Sequence, residues 1–284
     1  MAAPYYPRGV RPIVEATTSV AGLGVLLGHM LTFFARAVAG FPLALTRYRK
    51  AFLTVLSDIT WGNGSIVVGG GTAWVIIVLG ATAGAIVGIE GYQALHLLGM
   101  EPAAGLLSST VSTRELAPVM AALAFAAQAG CRFTAQLGSM RISEEIDAIE
   151  SLAIRPLPYL VSTRLLASIV AIIPLYVLCL VVNYAAVQGI VTFAGGVSAG
   201  SFEHYFRLVL TGEDIVYSVV KAIVFVTITS TIQCYYGYFA AGGPQGVGIA
   251  AGRAMRAGIS VMIIANLLLT IGLWGIGSGA RLGG

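Results

Sequence analysis

The residues best suited to a specific task in this 284-residue sequence form a short acidic segment, residues 141–156, which reads RISEEIDAIESLAIRP. Its carboxylates are Glu144, Glu145, Asp147 and Glu150. Its apolar residues recur at spacings of four, three and three, and they are Ile142, Ile146, Ile149 and Leu152. These spacings place the apolar residues on one helical face and the carboxylates on much of the other. We predict a short amphipathic helix that starts at Ser143 and ends at Pro156.

Two interpretations of this acidic helix are open. It could be a solvated loop helix without a partner. It could instead dock into a groove on a soluble subunit, as the coupling helix of an ABC transporter permease docks on its ATPase. The sequence contains no G-x-x-x-x-G-K-[ST] motif. Any ATP and magnesium that power the protein are therefore expected on a separate subunit.

A second group of candidates consists of charges at the edges of apolar stretches. Arg114 and Glu115 begin one such stretch, with Pro118 in its first turn. Charges in this position are functional candidates, although an interfacial pair that anchors the helix end is the alternative. Lys221 lies inside a later apolar stretch. It could snorkel toward the interface or pair with a carboxylate that faces the bundle interior.

No constellation of side chains predicts catalysis or metal binding. The three cysteines, Cys131, Cys179 and Cys234, all lie in apolar stretches, without a CxxC pair or a nearby histidine cluster. We interpret them as small buried hydrophobic residues. We therefore expect neither a disulfide framework nor a metal site.

The composition of the whole chain predicts the class of protein. Hydrophobic residues make up 57% of the chain and charged residues only 10%, whereas an ordinary soluble domain is about 25% charged. A water-soluble globule is excluded because its surface needs more charge, and disorder is excluded because disordered chains are polar. The 36 glycines suit close packing of transmembrane helices. Composition therefore predicts an all-α integral membrane protein.

Five stretches are long and apolar enough to be transmembrane helices. They are residues 66–89, 115–138, 162–194, 215–239 and 257–277. The first contains no charge, and its length suffices to cross a hydrocarbon core of about 30 Å. Gly80, Gly84 and Gly88 recur at four-residue spacing on it, which favours close helix packing. We assign residues 63–284 to a membrane domain, with the acidic helix between its second and third spans.

Residues 1–62 are expected to form a polar tail followed by interfacial helices. Within them, residues 41–62 alternate large apolar side chains with Arg47, Arg49 and Lys50. This pattern is typical of a basic amphipathic helix in the membrane interface, and a cytosolic amphipathic helix is the alternative. Residues 16–40 are only mildly apolar.

The distribution of basic residues predicts the orientation. With five spans, 12 of the 16 Lys and Arg residues fall on the side of the N-terminus and the acidic helix, and three fall on the other. The positive-inside rule then predicts a plasma-membrane protein with a cytoplasmic N-terminus and an external C-terminus. A sixth span at residues 16–40 would reverse this alternation, so the charge count argues against it.

Several of these segments together resemble the MlaE/YrbE permease family. The segments are RELAP at 114–118, QLGSMR at 136–141, EEIDA at 144–148 and GGPQGVG at 242–248. The resemblance covers roughly residues 45–277. It implies the membrane subunit of an ABC lipid transporter that works with mammalian-cell-entry (MCE) proteins. In that family two permeases pair, and two ATPases dock on the coupling helices. A ring or tube of MCE proteins sits on the outer side and passes lipid along a hydrophobic tunnel.

The N-terminal extension and the GGPQGVG form are similar to mycobacterial-type YrbE chains. That similarity implies a B-type chain paired with a different A-type permease, six MCE proteins, and import of fatty acids, mycolic-acid-type lipids or sterols. No nucleic-acid partner is implied. Three departures from the family pattern support an asymmetric pair: Gln128 replaces an Arg, Gln136 replaces a Glu, and Glu145 replaces a Gln. We hypothesise that the partner permease keeps the other charge pattern.

The resemblance also implies roles for the candidate residues. Those implied to dock the ATPase are Arg141, Ile142, Glu144, Glu145, Ile146, Asp147, Ile149 and Glu150. Those implied to border the lipid path or its outer rim are Arg114, Glu115, Pro118 and Gln128. Two other functions are alternatives: a secondary transporter or channel without an ATPase, and a non-transporting scaffold for an MCE assembly. No internal repeat or mid-span acid supports the first, and the acidic helix argues against the second.

Overall fold

The computed structural model describes residues 11–61 and 71–275, and these ranges are almost entirely helical. The helices of these ranges are α1 (Arg11–Ala39), α2 (Phe41–Thr46), α3 (Arg49–Trp61), α4 (Gly71–His96), α5 (Glu101–Ile142), α6 (Glu145–Ser151), α7 (Leu157–Ala194), α8 (Ala199–Val209), α9 (Gly212–Tyr238) and α10 (Gly243–Trp274). Short 3₁₀ and π turns interrupt α5 and α7. The prediction of an all-α integral membrane protein is confirmed.

The five predicted spans correspond to α4, α5, α7, α9 and α10, with different ends. Residues 66–70 of the first prediction lie outside the described residues, and α4 continues to His96. Helix α5 begins at Glu101 rather than at residue 115, because its polar first part contains serines and threonines that are buried by packing. Helix α10 begins at Gly243, since Gly242 in the left-handed conformation and Pro244 in the first turn start the helix there.

The N-terminal segment Gly24–Thr46 is a sixth candidate span by length and apolarity, which the prediction of five did not include. Two hydrogen bonds join its residues to one end of the bundle. His29 Nδ1 lies 2.7 Å from the hydroxyl of Tyr235, near the end of α9. The Ser162 hydroxyl, near the start of α7, donates to the Ala37 carbonyl at 2.6 Å. These contacts attach the segment to that end of the bundle.

The basic stretch predicted as one helix over residues 41–62 consists of two, α2 and α3. Helix α2 ends at Thr46, and α3 begins at Arg49. Helix α3 then packs along α7 and α4. The described part of the N-terminal region thus forms an elbow against the bundle.

Helices α4 and α7 pack closely and run in the same direction. A Cβ atom added to Gly84 would lie 2.4 Å from the Asn183 carbonyl oxygen, and one added to Gly80 would lie 3.1 Å from the Cys179 carbonyl oxygen. The Asn183 side chain donates to the Gly80 carbonyl at 3.1 Å. The four-residue glycine spacing therefore lets two backbones approach and share a hydrogen bond.

The two ends of the bundle carry different features. One end contains α6 together with the end of α5, the start of α7 and the end of α9, and we call it the α6 end. The other contains α8 together with the start of α5, the end of α7 and the start of α9, and we call it the α8 end. Helix α8 begins at the cap Ser198, whose side chain accepts from the Ser201 backbone N–H. Its backbone packs against Gly105 of α5.

Candidate functional site

Helix α6 is shorter than the predicted acidic helix. It spans Glu145–Ser151, and its N-cap is Glu144, which adopts a left-handed conformation with φ of 60°. The prediction of a start at Ser143 was therefore wrong. Ser143 follows the last turn of α5, where its hydroxyl bonds the Ser139 carbonyl and the Glu145 carboxylate. Arg141 and Ile142 belong to the end of α5.

The two faces of α6 are used differently. Ile146 is 1% exposed and belongs to the main hydrophobic core, and Ile149 packs partly against that core. The apolar face is thus turned toward the protein's own bundle rather than outward. The exposed carboxylates on the other side are Glu144, Glu145, Asp147 and Glu150. The surface that α6 offers to a partner is therefore acidic, and beyond its end lies Leu152, which is 72% exposed.

An ion pair fixes α6 to the preceding span. Arg141 Nη1 lies 2.8 Å from Asp147 Oδ1, and both side chains are partly exposed. The buried Ile146 fixes the same short helix to the main hydrophobic core. A force applied to α6 is therefore passed to the bundle through defined contacts.

A buried charge network occupies the α8 end. The fully buried ammonium group of Lys221 on α9 donates to the Arg114 carbonyl at 2.6 Å, to Glu115 Oε1 at 3.1 Å and to the Thr270 hydroxyl at 2.7 Å. The Thr270 hydroxyl in turn donates to Glu115 Oε1 at 2.7 Å, and Asn266 donates to Glu115 Oε2 at 2.8 Å. Glu115 thus connects α5, α9 and α10.

A second ion pair extends this network toward the end of α10. Arg114 Nη2 lies 3.2 Å from Asp214 Oδ1. The Trp274 indole N–H donates to the same carboxylate oxygen at 2.6 Å, and the Thr211 hydroxyl donates to the other at 2.8 Å. The Trp274 ring lies 5.5 Å from the cationic groups of both Arg114 and Lys221, a favourable cation–π geometry.

Local structure explains how two neighbouring residues serve two ion pairs. Arg114 and Glu115 lie in a π-helical stretch, Ser108–Leu116. The wider turn of a π-helix changes the direction of successive side chains and is frequent at functional sites. Regular α-helix resumes at Ala117, with Pro118 in its first turn.

The structure brings some of the predicted residues together and separates others. Arg114 and Glu115 meet Lys221, which pairs with a carboxylate rather than snorkelling. Pro118 is buried in α5, one turn nearer the α6 end. Gln128 lies in a second π-helical stretch, Ala126–Gly130, about 20 Å further along the helix than Glu115. It is therefore not part of the charge network.

Sequence reasoning missed five members of the network, which are Thr211, Asp214, Asn266, Thr270 and Trp274. The last three recur every four residues, which places them on one face of α10. That spacing was the signal that could have identified them, given an unexplained Lys221 in the neighbouring span. Within residues 11–61 and 71–275, no group of three or more His, Cys, Asp or Glu side chains is arranged to hold a metal ion.

The region that carries both features matches a known family. The family described as Permease MlaE matches residues 63–271. The chain belongs to the MlaE permease family. The match includes α6 and every residue of the charge network except Trp274, which follows its last residue. The MlaE-family chain is accordingly a multi-pass membrane permease component of an ABC-type transporter.

Individual relatives agree with this membership. A probable ABC transporter permease protein of Rickettsia prowazekii is 30% identical over 197 residues, which cover 66% of this chain and 73% of the relative. The intermembrane phospholipid transport system permease protein MlaE of Haemophilus influenzae is 27% identical over 259 residues, 88% of this chain and 97% of the relative. The chloroplastic protein TRIGALACTOSYLDIACYLGLYCEROL 1 of Arabidopsis thaliana is 31% identical over 173 residues, which cover 61% of this chain and 49% of the relative.

Proposed function

We propose that this chain is the transmembrane permease subunit of an ATP-driven lipid transporter and that α6 is the docking helix for its ATPase. The observation that carries the proposal is the arrangement of α6. Its apolar side is anchored by Ile146 and its four carboxylates face outward. An exposed acidic helix between two spans fits a basic groove on a soluble subunit. ATP and magnesium would be bound by that subunit.

The contacts of α6 provide a route for mechanical coupling. Movement of a docked ATPase acts on α6, the Arg141–Asp147 pair passes that movement to α5, and Ile146 passes it to the main core. Because α5 also carries Arg114 and Glu115 in its π-helical stretch, movement of α5 reaches the α8 end. Shifts of packed helices of this kind are a common switching mechanism.

The surface near Glu115 supports a lipid as the transported molecule. Helix α10 exposes a row of large apolar side chains, Ile263, Ile264, Leu267, Leu268 and Ile271. Beside this row lies the Glu115 carboxylate, whose side chain is 36% exposed. An apolar path for a lipid tail with local polar groups for its head is what a lipid site requires. A second permease that faces this row would complete a lipid-sized cleft.

The finer proposals follow from the resemblance to mycobacterial-type chains. The α6 end and the N-terminus face the cytoplasm, and the α8 end and the C-terminus face outward. The partner at the α8 end is a ring or tube of six MCE proteins. The second permease is a different, A-type chain, and the complex imports fatty acids, mycolic-acid-type lipids or sterols. The relative from Haemophilus influenzae, by its name, transports phospholipid, which supports the lipid class only.

Affinity purification of the tagged chain tests the docking helix. We expect the ATPase to copurify with the natural chain and to be lost from Glu145→Lys, because that variant reverses a charge in the centre of the acidic surface. Glu213→Lys is the matched control, since Glu213 is an exposed acid at the α8 end. Equal recovery of the ATPase with Glu145→Lys and with the control would contradict the placement of the docking site.

The same purification tests the partners. Mass spectrometry of the natural complex is expected to identify a second, different permease and MCE proteins, together with bound lipid. A stable homodimer of this chain that transports lipid without another permease would contradict the asymmetric pair.

A further inference from the structure

A cavity at the α6 end is distinct from the charge network and from α6 itself. It has a volume of about 670 Å³ and lies between the α2–α3 elbow and the ends of α5 and α7. Its positively charged lining residues are Arg47, Arg49, Lys50 and Arg164. No carboxylate is among the described residues that line it. We propose that this cavity binds the phosphate headgroup of an anionic phospholipid that is not the transported molecule.

Arg164 is the strongest evidence for an anionic ligand. Its side chain is buried, with 8% of the residue exposed. Its guanidinium donates to the Leu160 carbonyl at 2.7 Å and to the Gln136 side-chain oxygen at 3.3 Å, and its Nε has no partner among the described residues. All these contacts are with neutral groups. A buried cation without an opposite charge is unfavourable, and an anion in the cavity would compensate it.

The rim of the cavity adds three more cations. Arg47, Arg49 and Lys50 are exposed, and in the described part of the chain none of them forms an ion pair. They lie where α2 ends and α3 begins, so the elbow brings them to one place. A cluster of this kind beside a membrane attracts the headgroups of anionic lipids.

The rest of the lining favours a phospholipid over a free phosphate ion. Val55, Met140 and Leu160 are apolar lining residues of the same cavity. On the same elbow, Leu45 and Leu53 are about half exposed, as expected where a basic amphipathic segment rests on acyl chains. The headgroup would sit on the four cations, and its chains would lie along these leucines.

The position of the cavity predicts what a bound lipid would do to the structure. It would join the elbow to α5 and α7, the two helices on either side of α6. The lipid is therefore expected to hold the elbow against the bundle. This inference concerns binding alone and does not depend on the proposed transport function.

Native mass spectrometry of the purified chain in a neutral detergent tests the site. We expect one phosphatidylglycerol to be retained per chain and phosphatidylcholine to be retained about tenfold less well. The rim variant combines three substitutions, Arg47→Gln, Arg49→Gln and Lys50→Gln. It should weaken phosphatidylglycerol binding about tenfold or more. Arg253→Gln with Arg256→Gln is the control, because these exposed arginines lie on α10 and do not line the cavity.

Gln136→Glu tests the role of Arg164 without removing it. The new carboxylate would replace an amide oxygen that lies 3.3 Å from the guanidinium, and would compensate the buried charge from within the protein. Phosphatidylglycerol binding should fall, while the fold is preserved because the two side chains have the same shape.

Four results would overturn the proposal. The first is equal retention of both lipids by the natural chain. The second is equal loss of phosphatidylglycerol in the rim and control variants. The third is unchanged binding in Gln136→Glu. The fourth is equally effective displacement of the lipid by inorganic phosphate at the same concentration, which would make the site a phosphate site rather than a lipid site.

Discussion

The ammonium group of Lys221 lies 3.1 Å from a carboxylate oxygen of Glu115, in a part of the bundle where Lys221 has no contact with solvent. The pair joins α5 to α9, and Thr270 and Asn266 attach α10 to the same carboxylate. One acidic side chain thus holds three spans together. A change at Glu115 is therefore expected to affect stability as well as any path beside it.

Glu115→Gln should destabilise the protein by leaving Lys221 buried without an anion. We expect the free energy of unfolding to fall by about 1–3 kcal/mol. Glu115→Gln with Lys221→Met should recover at least half of that loss, because both charges are then absent. The measurement is reversible unfolding in detergent micelles. Glu90→Gln, an exposed acid at the same end, should change the value by no more than about 0.5 kcal/mol.

Trp274→Phe should loosen the end of α10. The substitution removes the indole donor that lies 2.6 Å from Asp214 Oδ1, at a cost of about 1–2 kcal/mol. Hydrogen exchange should become faster in the last turns of α10 and remain unchanged in α6. Trp74→Phe is the control, because the exposed Trp74 forms no hydrogen bond with the described residues. Identical exchange in the two variants would show that Asp214 does not hold this helix.

Gly84→Ala should separate α4 from α7. The added methyl group would lie 2.4 Å from the Asn183 carbonyl oxygen, so the backbones must move apart at a cost of about 1–3 kcal/mol. Gly252→Ala is the control, since nothing lies within 4 Å of its added Cβ. That control should gain about 0.5–1 kcal/mol from better helix propensity. Thermal unfolding of both variants measures the difference, and equal effects would contradict the close packing.

Ile146→Ala should uncouple α6 from the bundle without changing its acidic surface. Loss of this buried side chain should destabilise the local structure by about 2–5 kcal/mol. We expect the ATPase to copurify as before, while less lipid is moved per ATP hydrolysed. Leu152→Ala removes an exposed side chain just beyond the same helix and should not reduce that ratio. An unchanged ratio in Ile146→Ala would show that force reaches the bundle by another route.

The sequence predicted those features that depend on local composition. The scarcity of charged residues predicted a membrane protein, and the carboxylates between two spans predicted the acidic helix α6. The serines and threonines that begin α5 were missed because hydropathy treats them as polar, although packing against other helices buries Ser108, Ser112 and Thr113. The spacing of apolar residues also predicted the wrong start for α6, at Ser143. The left-handed turn at Glu144 separates α5 from α6, and apolar spacing does not show such a turn.

Contacts between distant residues could not be predicted in this way. Glu115 and Thr270 are far apart in sequence, and nothing local to either residue indicates that they meet. The same holds for the segment Gly24–Thr46, which is apolar enough to span. Nothing local to its sequence indicates its contacts with Ser162 and Tyr235 at the α6 end.

The central claim is that this permease moves lipid with energy from a docked ATPase. The most direct test is lipid transfer by the purified complex in proteoliposomes, with ATP or with a non-hydrolysable analogue. We predict that transfer requires hydrolysis and is lost in Glu145→Lys, while Glu213→Lys transfers lipid at the natural rate. Equal transfer with ATP and without any nucleotide would contradict the claim and would favour an ATPase-independent channel.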